Sequence, residues 1–108
     1  MKIIDYYTAG GKNLITEYID NLPSGEKAVC YRIRENIANE GISALKTLKT
    51  RQLKGKLWEI KYSQNRIMYV LQDSENIYFL HACKKQKDKA EQFELNKALK
   101  RAKELGIT

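Results

Sequence analysis

The sequence has little of the chemistry from which many enzyme sites are built. It contains one histidine, two cysteines and one proline in 108 residues. It has no GxGxxG, no GKS or GKT phosphate loop and no HExxH motif, and its single histidine excludes a histidine-rich metal site. Cys30 and Cys83 lie far apart and lack zinc-ligand spacing, so we expect both to be reduced core residues.

Long apolar runs are also missing. No stretch approaches the roughly 20 apolar residues that a membrane-spanning helix needs. The first residues contain an acid, Asp5, and lack the apolar core of a signal peptide. We therefore expect a cytoplasmic protein without a membrane partner, folded as a single domain over residues 1–108.

Acidic residues are scarce only in the second part of the chain. Residues 1–40 carry 5 lysines and arginines and 6 acids, whereas residues 41–108 carry 15 lysines and arginines and 7 acids. The net charges are −1 and +8, which together give the overall +7. A basic surface of this kind attracts nucleic acid, an anionic membrane or an acidic protein.

The first 40 residues predict a strand and two helices. Ile3–Tyr7 is a short apolar run, and apolar residues then recur at helical spacing from Leu14 to Leu22. After Pro23, Ser24 can cap a second helix, which Gly41 ends.

The remainder predicts a basic segment, an antiparallel meander and a final helix. Residues 44–56 look exposed and partly irregular. The strands 57–62, 66–72 and 77–83 follow, with turns between them, and a helical pattern runs from about Asp88 to Leu105. The expected fold is α+β in the order β-α-α-β-β-β-α, with the helices gathered against one face of an antiparallel sheet.

Cations cluster around the meander in a way that suits a phosphodiester. Lys61 lies on the polar side of its strand, and Arg66 opens the next strand close to it across the hairpin. If the strands pair in sequence order, the basic residues after the third strand reach the same end of the sheet. Guanidinium and ammonium groups neutralise phosphate oxygens and stabilise charge in the transition state. The other members of this predicted patch are Lys54, Lys56, Lys84, Lys85 and Lys87.

A site of this kind can cut RNA without a metal. RNA supplies its own nucleophile, the 2′-hydroxyl, so the protein needs to provide positioning, charge stabilisation and proton transfer. Lysines crowded by other cations have lowered pKa values and can exchange protons. We therefore predict a metal-independent endoribonuclease.

Three stretches resemble the RelE/HigB toxins of bacterial type II toxin–antitoxin pairs, and their phage-derived HigB-like branch in particular. They are Leu53–Lys61, Asn65–Tyr69 and Leu80–Lys87, the last with a histidine, small residues and paired lysines. The closing helix fits too, through Glu94, Ala98, Arg101 and Ala102.

The resemblance implies a RelE-like fold and a ribosome-dependent endoribonuclease that cleaves mRNA and stops translation. It implies no cofactor. It also implies a cognate HigA-like antitoxin that binds DNA through a helix-turn-helix, forms a hetero-oligomer with the toxin, masks its site and represses the operon.

The resemblance also assigns residues. It makes Arg66 the phosphate-binding arginine and Lys61 a site lysine, with Lys84 and Lys85 as the basic pair after the last strand. Two positions depart from the family: Glu59 stands where a partner lysine is expected, and Phe93 lies near the place of a C-terminal tyrosine or other polar group. His81 or a lysine could then transfer protons, so the catalytic candidates are Arg66, Lys61, Lys84, Lys85 and His81. The RNA-binding candidates are Lys49, Arg51, Lys54, Lys56 and Lys87.

Other interpretations stay open at this point. Arg66 could pair with Glu59, His81 could be a core residue, and Lys84 with Lys85 could protect a strand edge. At the level of function, the alternatives are a ParE-like toxin that inhibits DNA gyrase and a non-catalytic nucleic-acid-binding module, which would bind with strong salt dependence.

Overall fold

The computed structural model of the protein describes residues 1–107 and contains five strands and four helices within them. The strands are β1 (Lys2–Asp5), β2 (Lys49–Lys54), β3 (Leu57–Tyr62), β4 (Asn65–Leu71) and β5 (Asn76–Lys84). The helices are α1 (Leu14–Asp20), α2 (Ser24–Glu40), α3 (Ile42–Thr47) and α4 (Asp88–Glu104). No helix among these residues is long and apolar enough to cross a bilayer.

The five strands form one sheet in the order β1-β5-β4-β3-β2. Strands β2 to β5 pair in sequence order as an antiparallel meander, and β1 adds to β5 in parallel. This confirms the α+β class and the meander. It corrects the prediction for residues 44–56, which form α3 and β2 rather than an irregular segment. The charged side chains of β2 are exposed because it is an edge strand, and they hid the strand in the sequence pattern.

Helices cover both faces of the sheet, which corrects the prediction that they gather on one. Ile60 and Ile67 belong to a core with α1, α2 and α3. Leu57 and Met68, an odd number of positions away on the same strands, pack with Ala98 of α4 on the opposite face. Because neighbouring strand residues point to opposite faces, apolar residues at consecutive positions show that both faces are buried.

The helix boundaries follow local rules, with one exception. Gly41 has φ 63° and donates its N–H to the carbonyl of Ile37, which confirms the predicted end of α2. Ser24 does not cap α2 as predicted, because it is itself the first residue of the helix. Pro23 occupies the cap position and its carbonyl accepts from the N–H of Lys27. Cys30 and Cys83 are both free, as expected.

A β-bulge in β5 determines which side chains meet α4. Met68 pairs with His81 and Tyr69 pairs with Phe79, so Leu80 has no partner of its own in β4. As a result, two consecutive residues face α4. Leu80 packs against the alanines of α4, and His81 makes polar contacts with the same helix.

Candidate nucleic-acid cleavage site

A basic cleft lies on the α4 side of the sheet, where β3 ends, β4 begins and β5 leads into α4. Its volume is about 110 Å³, well below the roughly 300–1,000 Å³ of pockets that enclose drug-sized ligands. It can therefore hold a group the size of a phosphate but not a whole nucleotide. Five of the predicted site residues line it: Arg51, Lys61, Arg66, Lys84 and Lys85.

Strand register brings the central cations together. Lys61 pairs with Lys49 of β2 on one side and with Arg66 of β4 on the other, and Arg66 pairs with Cys83 of β5. The predicted closeness of Lys61 and Arg66 is thus confirmed. It follows from the short turn at Ser63, which forces the ends of β3 and β4 to face each other.

Arg66 has no carboxylate partner among residues 1–107. Its Nη1 donates to the backbone carbonyls of Ser63, at 3.0 Å, and Asn65, at 2.8 Å. These bonds fix the side chain at the turn and leave its positive charge unneutralised. The alternative pairing of Arg66 with Glu59 is wrong, because Glu59 pairs with another arginine.

That arginine is Arg51, which lies between two carboxylates. Its Nε is 2.8 Å from Oε2 of Glu59, and its Nη2 is 2.6 Å from Oε1 of Glu91 at the start of α4. The hydrogen bond to Glu91, together with the charges of both acids, raises the pKa of Arg51 despite the opposing effect of burial. Arg51 is therefore largely neutralised and is a weaker phosphate ligand than Arg66.

Lys84 lines the cleft but its ammonium group is bonded elsewhere. Its Nζ donates to Oδ1 of Asn65 at 2.9 Å and lies 5.9 Å from the centre of the Tyr18 ring. The hydroxyl of Tyr18 donates to the same oxygen, and Asn65 donates in turn to Glu26 of α2. Asn65 is 1% exposed, so this network anchors the start of β4 next to Arg66. Burial raises the pKa of Tyr18, which keeps its hydroxyl protonated as a donor.

Lys61 and Lys85 differ from Lys84 in that their ammonium groups have no hydrogen-bond or salt-bridge partner among the described residues. Lys85 is exposed, and its backbone N–H donates to the carbonyl of Gln64 at 2.6 Å, which holds the residue beside the β3–β4 turn. Lys61 is half-buried and lines the same cleft. With Arg66, which bonds only to backbone carbonyls, they form a set of three cations without a side-chain partner.

His81 is held at both ring nitrogens by α4. Nη1 of Arg101 donates to Nδ1 at 3.0 Å, so Nδ1 must be unprotonated. The neutral ring then carries its proton on Nε2, which donates to Oε2 of Glu94. Burial lowers the pKa of His81 and favours this neutral form. His81 is 7% exposed and does not line the cleft with Arg66.

Glu94 reaches the cleft from α4. Burial acts to raise its pKa, but the hydrogen bond from His81 and the charges nearby outweigh it and lower the pKa of Glu94. The carboxylate is therefore ionised at neutral pH. It lies close to Cys83, whose pKa is raised to about 12 by burial and by the charge of Glu94, so the thiol stays protonated.

Ligand atoms of His81, Cys83 and Glu94 lie within 4.8 Å of one another, as in many metal sites. The surroundings favour hydrogen bonding instead. A metal-bound histidine normally donates its second ring N–H to an acceptor. Here a guanidinium group, Arg101, donates to that second nitrogen and adds a permanent positive charge.

The remaining predicted RNA-binding residues lie around the cleft or far from it. Lys49 is exposed beside Lys61 in register, and Lys87 is exposed just before α4. Lys54 and Lys56 lie at the other end of β2 and β3, roughly 17 Å from Lys61 at about 3.3 Å per residue. There they line a separate concavity with Lys103.

From the sequence, Glu94 is recognised only as a residue of the closing helix and is not placed in the site, and Glu59 is not paired with Arg51. The helical period of α4 could have shown that Glu94 shares a face with Ala98, which would have placed it against the sheet. No pattern in the sequence indicates that Arg51 and Glu59 meet, since β2 was not recognised as a strand.

Comparison with known proteins identifies the family. No curated protein matches the chain significantly. A family model described as "Phage derived protein Gp49-like" matches residues 17–103, which contain every residue of the cleft. The chain therefore belongs to the Gp49-like family, a family of RelE/HigB-like toxins from toxin–antitoxin systems.

Proposed function

We propose that the protein is the toxin of a type II toxin–antitoxin pair and acts as a ribosome-dependent endoribonuclease that cleaves mRNA. The observation that supports this most directly is the set of three cations in the cleft, Lys61, Arg66 and Lys85, which have no side-chain partner among residues 1–107. Unneutralised cations in a cleft of phosphate size are suited to the scissile phosphodiester.

The proposed reaction needs no metal. Arg66 binds the non-bridging oxygens of the phosphate, and Lys61 and Lys85 add positive charge as negative charge builds up on them. The 2′-hydroxyl of the preceding ribose attacks the phosphorus, and the bond to the 5′-oxygen breaks. The products are a 2′,3′-cyclic phosphate and a 5′-hydroxyl end. The ribosome contributes by holding the mRNA in the bent geometry that this attack requires.

The partners follow from the same proposal. The family indicates an antitoxin. We expect it to be HigA-like, to cover the cleft in a toxin–antitoxin hetero-oligomer and to bind operator DNA through a helix-turn-helix. The toxin would act in the cytoplasm, where translating ribosomes are found.

The test is induced expression in a growing bacterium, with mapping of mRNA 5′ ends. The wild type is compared with Arg66→Ala and with Arg32→Ala, which removes an exposed arginine of α2 far from the cleft. We expect growth arrest and new ends inside translated codons for the wild type and Arg32→Ala, and neither for Arg66→Ala. Growth arrest without new mRNA 5′ ends would point to inhibition of DNA gyrase. RNA binding without growth arrest would point to a nucleic-acid-binding module.

A further inference from the structure

The cleft contains three carboxylates, and they differ in what they are free to do. Glu59 is 2% exposed and pairs with Arg51. Glu91 is bonded to the same arginine and lies toward the rim, 40% exposed. Glu94 is partly buried, at 16% exposure, and lies 3.8 Å from its cationic neighbour, Lys97, beyond hydrogen-bonding distance. Glu94 is therefore the carboxylate of the cleft whose charge is least neutralised.

Resting on the proposed nuclease function, we infer that Glu94 is the general base that removes the proton from the attacking 2′-hydroxyl. In this assignment Oε2 of Glu94 accepts from His81, which holds the carboxylate in one orientation. His81 is a positioning residue, because its ring contacts Glu94 and Arg101 and does not line the cleft.

The neutral state of His81 matters for this role. If His81 were a protonated imidazolium, it would form an ion pair with Glu94 and neutralise the negative charge of the carboxylate. Because Arg101 donates to Nδ1, the ring donates from Nε2 without carrying a charge. The carboxylate is thus fixed by a neutral donor and keeps its negative charge for the 2′-hydroxyl. The weak thiol donor Cys83 is the other neighbour on β5.

The position of Glu94 relative to the phosphate site supports the same role. Its carboxylate lies within 4.8 Å of the Cys83 sulfur, and Cys83 is the direct strand partner of Arg66. The cleft that would hold a phosphate bound by Arg66 is lined by Glu94 from α4, by Lys61 from β3 and by Lys85 from the segment after β5. A base and an acid on different sides of the phosphorus match the needs of in-line displacement.

The proton and electron balance is complete with groups in the cleft. Glu94 takes the proton of the 2′-hydroxyl while the 2′-oxygen forms its bond to phosphorus. The phosphorus–5′-oxygen bond breaks, and the leaving 5′-oxygen receives a proton from the ammonium of Lys61 or Lys85. Water then restores both groups, by taking the proton from Glu94 and returning one to the lysine.

The experiment measures single-turnover cleavage of mRNA on purified ribosomes by four proteins. They are the wild type, Glu94→Gln, Arg66→Ala and a matched control, Glu104→Gln, which makes the same charge change on α4 outside the cleft. Glutamine can still accept from His81, so the fold of Glu94→Gln should be preserved. We expect this variant to lose about 10²–10⁴-fold in rate, with unchanged affinity for ribosomes carrying an uncleavable 2′-deoxy mRNA.

A substrate with sulfur in place of the bridging 5′-oxygen separates base from acid. Sulfur leaves without being protonated, so it compensates for a missing acid but not for a missing base. We expect Glu94→Gln to remain as slow on this substrate as on normal mRNA. Recovery of the rate would assign Glu94 to the leaving group and overturn the inference.

A second variant covers the case in which Glu94→Gln is misfolded. Glu94→Ala with added formate tests for chemical rescue, which restores a missing base but not a lost structural contact. Absence of rescue, or a rate for Glu94→Gln within about threefold of the wild type, would contradict the role of Glu94. If the wild type itself does not cleave ribosome-bound mRNA, the proposed function fails instead, and the inference with it.

Discussion

The guanidinium Nε of Arg51 lies 2.8 Å from Oε2 of Glu59, so a salt bridge joins the edge strand β2 to the buried α4 side of β3. Glu59 is 2% exposed, and Oε2 has no well-aligned hydrogen-bond donor among residues 1–107. The same arginine also holds Glu91 at the start of α4. Arg51 therefore connects β2, β3 and α4, and removing it leaves a buried carboxylate without a counter-ion.

Arg51→Ala should lower the free energy of unfolding. We expect a loss of about 2 kcal/mol, less than the roughly 3–5 kcal/mol for a fully buried pair, because Arg51 is 44% exposed. Urea denaturation would show this as a lower midpoint with an unchanged slope. The control is Glu91→Gln, which removes only the exposed half of the contact and should cost at most about 1 kcal/mol. Equal midpoints for Arg51→Ala and the wild type would show that Glu59 finds another partner.

Arg66→Lys should separate the geometry of the phosphate ligand from its charge. The lysine keeps the charge but loses the planar fork that binds two phosphate oxygens. We expect cleavage to fall by about tenfold or more, since one charge-assisted hydrogen bond is worth roughly 1.5–3 kcal/mol. Unfolding free energy should change by less than about 0.5 kcal/mol, because no acid depends on Arg66. Single-turnover rates check the effect on cleavage, and urea midpoints check the effect on stability. A large loss of stability in Arg66→Lys would speak against a functional role for Arg66.

Lys84 and Lys85 should behave differently although they are neighbours in sequence. Lys84→Met removes a donor to the buried Asn65 and should destabilise the protein by about 1–3 kcal/mol. Lys85→Ala should leave stability unchanged and reduce cleavage, because the ammonium group is exposed and faces no acid among the described residues. Thermal denaturation and cleavage rates of the two variants would show this contrast. If Lys84→Met instead reduced cleavage and left stability unchanged, Lys84 would again be a catalytic candidate.

Acidification should destabilise the fold through His81. Burial lowers the pKa of His81 in the folded state below its ordinary value of about 6.5, so the unfolded chain binds the proton more readily. Stability is therefore retained above pH 6.5 and falls as the pH drops below it. Glu94 and Arg101 contact the ring, and Lys97 lies nearby. Urea midpoints at pH 7.5 and 5.5 measure the effect, and His81→Asn should reduce the pH dependence; an unchanged dependence would assign it to other groups.

Lys54 and Lys56 should affect RNA affinity without affecting chemistry. They lie at the far end of β2 and β3, where they share a concavity with Lys103. If they bind phosphates of the same RNA, each substitution to alanine should weaken binding and lower the slope of log affinity against log salt by about 1. The cleavage rate at saturating protein should stay that of the wild type. RNA affinity measured over a range of salt concentrations provides the check, with Arg32→Ala as the control. An unchanged slope for the lysine variants would limit RNA binding to the cleft.

The local parts of the structure could be predicted from the sequence. The closeness of Lys61 and Arg66 depends only on a short turn between two strands, and the end of α2 depends on Gly41. These features involve residues near one another in the chain. The α+β class follows from the order of such elements.

The missed features depend on contacts between distant residues. Arg51 meets Glu59 only after β2 has paired with β3, and Glu94 meets His81 only after α4 has packed on the second face of the sheet. One stretch of the sequence indicates that this second face of the sheet is buried. Apolar residues occupy consecutive positions in β4, such as Ile67 and Met68, where alternation would leave one face polar.

The unpaired Leu80 has a consequence for every later residue of β5. In a regular strand, alternation counted from Phe79 would turn His81 toward α1 and α2 and would turn the side chain of Lys84 toward α4. The additional residue inverts this parity, so that His81 and Cys83 face α4 while Lys84 reaches Tyr18. Deleting Leu80 would keep those orientations at the expense of a core side chain. Inserting a residue just after it would keep them as well in a regular strand, because His81 would then be an odd number of positions from Phe79.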